Sequence, residues 1–142
     1  MNKILSLLVL LLIFTSCNED DCGCTNFDIG LNIKVMDANG IDLINESNFS
    51  DIQINYLVDG VTRPGVSPFL IDDEFGPRIG ITLNNDSSDE YPVTYVKWND
   101  EDTDTIKASF KNNNRIVEQI WINDQLINPT ESPGYFYTLI KE

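Results

Sequence analysis

The chain lacks histidine altogether: none occurs among its 142 residues. The common serine and cysteine hydrolases need an imidazole beside the nucleophile to accept its proton. Structural zinc sites are likewise built from cysteine and histidine, about four ligands at a time. The absence of histidine therefore argues against a zinc site and against nucleophilic catalysis of this kind. We predict that the protein is not an enzyme.

One route to hydrolysis remains, because two carboxylates are enough to cleave a glycosidic bond. The stretch "IDDEF" contains Asp72, Asp73 and Glu74. Neighbouring acids on a strand point to opposite faces, so only Asp72 and Glu74 could meet one substrate. No feature of the sequence marks either of them as buried. A carboxylate-dependent glycan hydrolase is therefore the weakest of three functional hypotheses.

Cysteine is scarce, and its three positions, Cys17, Cys22 and Cys24, all lie near the start of the chain. Long apolar runs are equally rare. The one example, Ile4 to Phe14, has eleven residues, far fewer than the roughly 20 of a membrane-spanning helix. A lysine followed by a short apolar run is typical of a secretory signal. In an oxidising compartment Cys22 and Cys24 could bridge two chains, form a strained local bridge or remain thiols.

The apolar run ends in Phe14-Thr15-Ser16-Cys17, which resembles the lipobox of bacterial lipoproteins. The resemblance implies a signal peptide over residues 1–16 and a lipid on Cys17, within an acidic tether over residues 17–25. Such lipoproteins carry two or three acyl chains, and stable anchoring takes at least two. The resemblance thus implies a membrane anchor without a membrane-spanning helix.

The tether continues directly with Asn18-Glu19-Asp20-Asp21. This run is similar to the acidic export signal of Bacteroidetes-type surface lipoproteins. The similarity implies that the protein sits on the outer membrane and faces the outside of the cell. The layout of the chain after the tether resembles the same class of surface lipoproteins, which implies location and architecture but no substrate.

Positive charge is also sparse. The chain has 9 lysines and arginines against 23 aspartates and glutamates, a formal net charge of −14 at pH 7. A surface with this charge repels phosphate backbones, which argues against nucleic acid as a partner. The predicted partners are the membrane, through the lipid, and a glycan or an outer-membrane protein. No cofactor is predicted, and Ca²⁺ is the one ion for which candidate ligands exist.

Beyond the tether, apolar residues alternate with polar ones, which predicts strands with one buried face. Phe27 to Val35 alternates in this way before the turn signal Asn39-Gly40. Ile52 to Val58 alternates before a second turn signal, Asp59-Gly60. No convincing helix is present in the sequence.

The number and spacing of these segments predict an all-β fold over residues 26–142. We expect one antiparallel β-sandwich of immunoglobulin-like or transthyretin-like type with about eight or nine short strands. In the stretch "YPVTYVKW" apolar residues occur at both odd and even positions, and so on both faces of an extended strand. This predicts a central strand that is covered on both sides.

Asp100, Asp102 and Asp104 belong to the densest group of acids. On an extended backbone Asp102 and Asp104 project to the same side, so both could bind one hard cation such as Ca²⁺. The favoured interpretation is a solvated loop, because carboxylates that stay in contact with water pay little desolvation free energy. Asp104-Thr105-Ile106 resembles the short O-glycosylation signal of secreted Bacteroidetes-type proteins, which implies a glycan on Thr105.

Asn123-Asp124 is predicted to be the two-residue turn of a hairpin in which Trp121 faces Leu126. The core-facing side of the first strand would then carry Ile116, Ile120 and Ile122. A tryptophan outside a sheet is a good platform for a sugar ring or a protein partner. Trp121 and Leu126 are therefore candidate ligand-binding residues. The favoured alternative is that a further layer covers this face and makes Trp121 part of the core.

Three functional hypotheses result. The first is a membrane-anchored, non-enzymatic module of the cell envelope that binds a ligand or partner. The second is a structural or accessory subunit of an outer-membrane complex with no small-molecule ligand. The third is the hydrolase that would depend on Asp72 and Glu74.

Overall fold

The computed structural model describes residues 28–127 and 136–141, which form ten strands and one helical turn. The predicted signal peptide, the lipidation site Cys17 and the acidic tether lie outside the described residues. The strands, in chain order, are β1 (Gly30–Asp37), β2 (Gln53–Val58), β3 (Val61–Pro64), β4 (Phe69–Ile71), β5 (Arg78–Thr82), β6 (Val93–Lys97), β7 (Thr103–Lys111), β8 (Ile116–Ile122), β9 (Gln125–Ile127) and β10 (Phe136–Lys141). The helical turn α1 (Glu46–Phe49) lies between β1 and β2.

The strands form two sheets that pack face to face. One sheet has four strands in the order β10-β1-β5-β4, and the other has six in the order β3-β2-β6-β7-β8-β9. This arrangement confirms the predicted all-β sandwich. The described residues hold ten strands instead of the expected eight or nine, because β3 and β4 have only four and three residues. Alternation alone does not reveal strands that short, and β9, which has three residues, was predicted from the Asn123-Asp124 turn before it.

One strand pair departs from the antiparallel pattern. β1 and β10 run parallel, with Asn32 opposite Phe136 and Asp37 opposite Lys141. The chain crosses from the six-stranded to the four-stranded sheet between β9 and β10, so no hairpin fixes the direction of β10. The parallel pairing brings Lys141 to the end of β1. Within residues 28–127 and 136–141, no helix has the length and apolar character of a membrane span.

The core fills the space between the sheets with alternate side chains from both. Leu31, Ile33 and Val35 of β1 point inward, and each is at most 5% exposed. The alternation that predicts the strands therefore also builds the core, and each such buried side chain stabilises the fold by about 1.5–3 kcal/mol. The other buried apolar residues are Ile44, Ile52, Ile54, Ile79, Ile81, Leu83, Val96, Ile106, Ala108, Ile120, Ile122 and Ile127.

β6 is buried on one face only. Thr94 and Val96 point into the core, whereas Val93, Tyr95 and Lys97 are half-buried. The prediction that this strand is covered on both sides is wrong, because the described residues form only two layers. The apolar residues on its second face are part of the surface.

A β-bulge interrupts the pairing of β7 with β8, and Glu118 is the extra residue in β8. The bulge shifts the alternation of the preceding residues by one position. Val117 therefore packs against the core. The expectation that Ile116 does so is wrong.

Candidate functional site

The β8–β9 hairpin has the predicted turn. Asn123 and Asp124 have φ angles of 50° and 65°, the left-handed conformation that a two-residue type I′ turn requires and that these residue types tolerate. The turn sets the register in which Trp121 pairs with Leu126. Both the turn and the pairing were predicted correctly. Since the neighbours of Trp121 along β8 are buried in the core, Trp121 and Leu126 lie on the outer face of the six-stranded sheet.

This outer face is open in the part of the chain that the structure describes. Leu126 is 53% exposed, and Trp121 is half-buried by its neighbours on the same face. No described residue forms a further layer above them. Among residues 28–127 and 136–141, Trp121 therefore lies on the surface of the six-stranded sheet and not in the core.

Trp121 and Leu126 continue into a row of side chains that crosses the sheet. Lys107 pairs with Trp121, and Val93 pairs with Lys107. Leu57 pairs with Val93 on the other side. These five residues are termed the outer-face row. Directly opposed residues share a face with Cβ atoms about 5 Å apart. The row therefore consists of two apolar pairs, Leu126–Trp121 and Val93–Leu57, with Lys107 between them.

Tyr91 adds a second ring to this surface. Its ring centroid lies 5.4 Å from that of Trp121 at an interplanar angle of 87°, which is an edge-to-face contact of the kind that aromatic pairs prefer. Tyr91 is 45% exposed. A hydrogen bond with Glu90 and the charge of that residue raise the pKa of Tyr91. The sequence analysis did not single out Tyr91 because it begins the stretch "YPVTYVKW", which was interpreted as a strand covered on both sides.

Polar groups border the outer-face row. Lys107 Nζ lies 2.6 Å from Asp124 Oδ1, and the Thr105 amide donates to Asn123 Oδ1 at 2.9 Å. Thr105 is half-buried and lies one strand repeat from Lys107, on the same face. A glycan on Thr105 stays a prediction, and it would stand beside the row.

Asp104 is the buried member of the acidic group, at 5% exposure. Its carboxylate accepts hydrogen bonds from the Trp98 indole N–H and the Asn123 side-chain amide, both at 2.6 Å. Lys141 Nζ lies 2.7 Å from Asp104 Oδ2. Burial raises the pKa of Asp104, but these three donors outweigh burial and hold the pKa below its ordinary value. The solvated-loop interpretation is therefore wrong for Asp104.

Lys141 holds the position that a shared cation would take. Its Nζ lies 2.8 Å from Asp102 Oδ1 and 2.7 Å from Asp104 Oδ2, so the two carboxylates do project to one side. Asp100 points elsewhere and pairs with Lys97 at 2.7 Å. Across the described ranges, no three histidine, cysteine, aspartate or glutamate side chains come together as a metal site. We therefore propose no calcium site here.

The acids considered for hydrolysis lie in the connection between β4 and β5. Asp72 and Glu74 are exposed and belong to no strand, so the rule that alternate residues share a face does not apply to them. Asp73 forms an ion pair with the buried Arg78 and accepts a hydrogen bond from the Phe75 amide at 3.0 Å. The geometry of this loop supplies no argument for a catalytic pair.

A cavity of about 390 Å³ opens between the sheets where β1, β6 and β10 end. It is termed the end cavity. Its floor consists of the buried core residues Val35, Ile44 and Ile52. Trp98 forms one side, with Lys141 Nζ 5.3 Å from the centroid of its ring. The polar rim contains Asn48, Asp51, Asn99 and Asp102.

The helical turn α1 shapes the rim of the end cavity. The Asn45 side chain accepts hydrogen bonds from the amides of Ser47 and Asn48, and the Asn48 side chain accepts one from the Asn45 amide at 2.9 Å. This reciprocal capping box satisfies the first amides of the turn. It fixes Asn48 on the rim, and Asp51 follows directly after the turn.

A second cavity, of about 450 Å³, lies between the start of β1 and the β8–β9 hairpin. Leu126 lines it together with Gly30, Val117 and Glu118. Leu126 thus belongs both to the outer-face row and to the mouth of this groove.

Comparisons of the chain with protein-family models, with curated proteins and with solved structures find no match.

Proposed function

We propose that the protein is a non-enzymatic binding module of the bacterial cell surface that binds neutral glycan chains through the outer-face row. A lipid on Cys17 would hold it on the outer membrane. The single observation that supports the binding role is the open outer face, where Trp121, Tyr91 and Leu126 form an apolar surface that no described residue covers. The anchor rests on the sequence Phe14-Thr15-Ser16-Cys17.

The chemistry around Trp121 suits a sugar. A sugar ring presents C–H groups to an aromatic face and hydroxyl groups to the surroundings, so it needs an aromatic platform with hydrogen-bonding groups beside it. Lys107 and Thr105 supply such groups on β7, and the Asn123-Asp124 turn supplies them at the end of the hairpin. Contiguous apolar surface of this kind, bordered by polar residues, marks binding sites on soluble domains.

The charge of the chain favours an uncharged glycan. The net charge is −14, and Glu90, Glu118 and Asp124 are exposed near the hairpin. The one positive charge of the outer-face row is compensated, since Lys107 Nζ lies 2.6 Å from Asp124 Oδ1. An acidic polysaccharide would meet net repulsion at this surface.

Affinity electrophoresis tests the proposal. The full-length protein, in neutral detergent, is run in native gels that contain mannan, xylan or laminarin. We expect at least one of these polysaccharides to retard the protein, and Trp121→Ala to weaken the apparent affinity about tenfold or more. Phe69→Ala is the matched control, because Phe69 is 55% exposed but belongs to the four-stranded sheet, and it should leave retardation unchanged.

Two outcomes would contradict the glycan proposal. One is equal retardation of the wild type and Trp121→Ala. The other is a protein that no neutral polysaccharide retards but that co-purifies with a stoichiometric outer-membrane protein, which would support the accessory-subunit hypothesis.

The anchor has its own test. Cys17→Ser, expressed in the native host, should lose the mass of the lipid and move from the membrane fraction to the soluble fraction. A variant that keeps the mass of the mature wild type, apart from the substitution, and still sediments with membranes would contradict lipidation at Cys17.

A further inference from the structure

The end cavity is lined by acidic and apolar side chains that take no part in the proposed glycan binding at the outer-face row. We propose that the end cavity binds a primary ammonium group on an apolar stem, the chemistry shared by a small alkylamine and a lysine side chain. The inference rests on the shape of the cavity, on its hydrogen-bonding groups and on its charge. It does not depend on the glycan proposal.

The shape and walls of the cavity suit a short apolar stem. Its volume of about 390 Å³ lies in the range of about 300–1,000 Å³ that is typical of small-molecule sites. Val35, Ile44 and Ile52 form an apolar floor, each at most 6% exposed. Leu43, which is 37% exposed, extends this apolar surface to the mouth. A stem of a few methylene groups would displace water from this floor, and the burial of each methylene would favour binding.

The carbonyl groups of the rim asparagines are already occupied. Asn99 Oδ1 accepts hydrogen bonds from the amides of Glu101 at 2.8 Å and Asp102 at 3.0 Å. The Asn48 side chain accepts from the Asn45 amide at 2.9 Å and donates to the Leu43 carbonyl at 2.6 Å. These bonds leave the rim rigid and leave few of its asparagine groups for a ligand.

The hydrogen-bonding groups that remain on the rim are mostly acceptors. In residues 28–127 and 136–141 no donor meets the Asp51 carboxylate, and Asp102 uses only Oδ1 for Lys141. The remaining side-chain donors of the rim asparagines are the Asn99 amide nitrogen and the second N–H of Asn48. A ligand that fits must therefore bring donors. An ammonium group has three donors and no acceptor, whereas a hydroxyl group has two acceptor positions for one donor.

The charge of the cavity favours the same ligand. Asp51 and Asp102 line it, and Asp104 lies directly behind Trp98, whereas Lys141 is the one cation among the described lining residues. The Lys141 charge is already shared between Asp102 and Asp104. The net negative charge of the cavity would thus repel a carboxylate or phosphate and attract a cation. The Trp98 ring adds attraction for a cation, as its contact with Lys141 Nζ at 5.3 Å illustrates.

The end cavity opens between the two sheets at one end of the sandwich. The described chain enters the sandwich at Asp28, before β1, and Val35 in the cavity lies near the opposite end of that strand. Eight residues of strand span roughly 26 Å. The cavity therefore lies at the end of the sandwich opposite Asp28, the first described residue.

Nuclear magnetic resonance can test the proposal on the full-length chain in neutral detergent. The background is Trp121→Phe, so the one remaining indole N–H signal belongs to Trp98 in the cavity wall. We expect pentylamine to shift this signal saturably, and pentanol and pentanoate of the same stem to bind at least fivefold more weakly. A comparison of blocked lysine with blocked norleucine distinguishes a free alkylamine from a lysine side chain as the ligand. A site that accepts peptide side chains will bind the blocked lysine as well as pentylamine, and it will bind the blocked norleucine, which lacks the ammonium group, more weakly.

Two exposed acids near the rim provide a matched comparison. Asp51→Asn should weaken pentylamine binding about fivefold, because Asp51 lines the cavity and has no competing donor. Glu101→Gln removes the same charge from the β6–β7 loop, but Glu101 does not line the cavity, so it should change binding less than twofold. Equal binding of pentylamine and pentanoate, no shift of the Trp98 signal with any amine, or equal effects of the two substitutions would overturn the proposal.

Discussion

The Lys141 ammonium group lies 2.7 Å from the Asp104 carboxylate and joins the last strand of the four-stranded sheet to an inner strand of the six-stranded sheet. The two side chains are 18% and 7% exposed. Trp98 and Asn123 donate to the same carboxylate. Because water cannot solvate Asp104 well, its charge depends on these partners, and the loss of one partner should cost more than the loss of a surface ion pair.

Lys141→Met tests this dependence. The substitution keeps an unbranched apolar stem but leaves Asp104 without its cation, and we expect the free energy of unfolding to fall by roughly 2 kcal/mol. Lys107→Met is the control, because the Lys107–Asp124 pair is exposed and should contribute about 0.5 kcal/mol or less. Urea unfolding of both variants measures the difference. Equal losses would contradict the role assigned to Lys141.

Asp104 should also make the stability depend on pH. Its pKa is lowered in the folded protein, so its ionised form contributes stability that is present above the unfolded pKa of about 3.9 and is lost as pH falls through the folded value. We expect Asp104→Asn to be less stable than the wild type at pH 7. The difference in urea midpoint should shrink steadily below about pH 4. A difference that stays constant down to pH 3 would contradict this assignment.

The sequence predicts the hairpin but not the ion pair, for a physical reason. Asn123-Asp124 is a local signal, and a two-residue turn followed by alternation is enough to oppose Trp121 and Leu126. Lys141 meets Asp102 across 39 positions of the chain. This contact depends on the crossover of the chain between the two sheets and on the parallel register of β1 and β10. The alternation of apolar and polar residues predicts neither feature.

The open outer face shows a second limit of sequence reasoning. Alternation tells which residues share a face, but it does not tell how many layers the fold has. The interpretation of Trp121 as core and the prediction of a strand covered on both sides share this weakness. Tyr91 was overlooked for the same reason, because it begins the stretch "YPVTYVKW" that was predicted to be covered on both sides.

The two turn residues should respond differently to glycine. Both have left-handed backbone, which glycine adopts freely. Asn123→Gly removes the bonds to Asp104 and to the Thr105 amide and should lower the free energy of unfolding by about 2 kcal/mol. Asp124→Gly removes only an exposed ion pair and should change it by about 0.5 kcal/mol or less. Thermal and urea unfolding would show the contrast, and a reversed order would contradict the bonding described for Asn123.

Tyr56 links the sheets through its hydroxyl group. The hydroxyl donates to the Thr82 carbonyl at 2.9 Å and accepts from the Val66 amide at 3.3 Å. Tyr56→Phe should lower the free energy of unfolding by about 1–2 kcal/mol, since it leaves the Thr82 carbonyl and the Val66 amide without this partner. Tyr91→Phe removes an exposed hydroxyl and should leave the free energy of unfolding close to that of the wild type. Urea unfolding that finds the two variants equally stable would contradict the bridging role of Tyr56.

Hydroxyl-radical footprinting with mass spectrometry tests the central claim most directly, because it locates the contact surface on the intact protein. The full-length chain is oxidised with and without the neutral polysaccharide that retards it. We predict that the polysaccharide protects Trp121 and Tyr91 from oxidation and leaves Phe69, on the opposite sheet, as reactive as before. Protection of Phe69 while Trp121 stays fully reactive would contradict the assignment of the outer-face row as the binding surface.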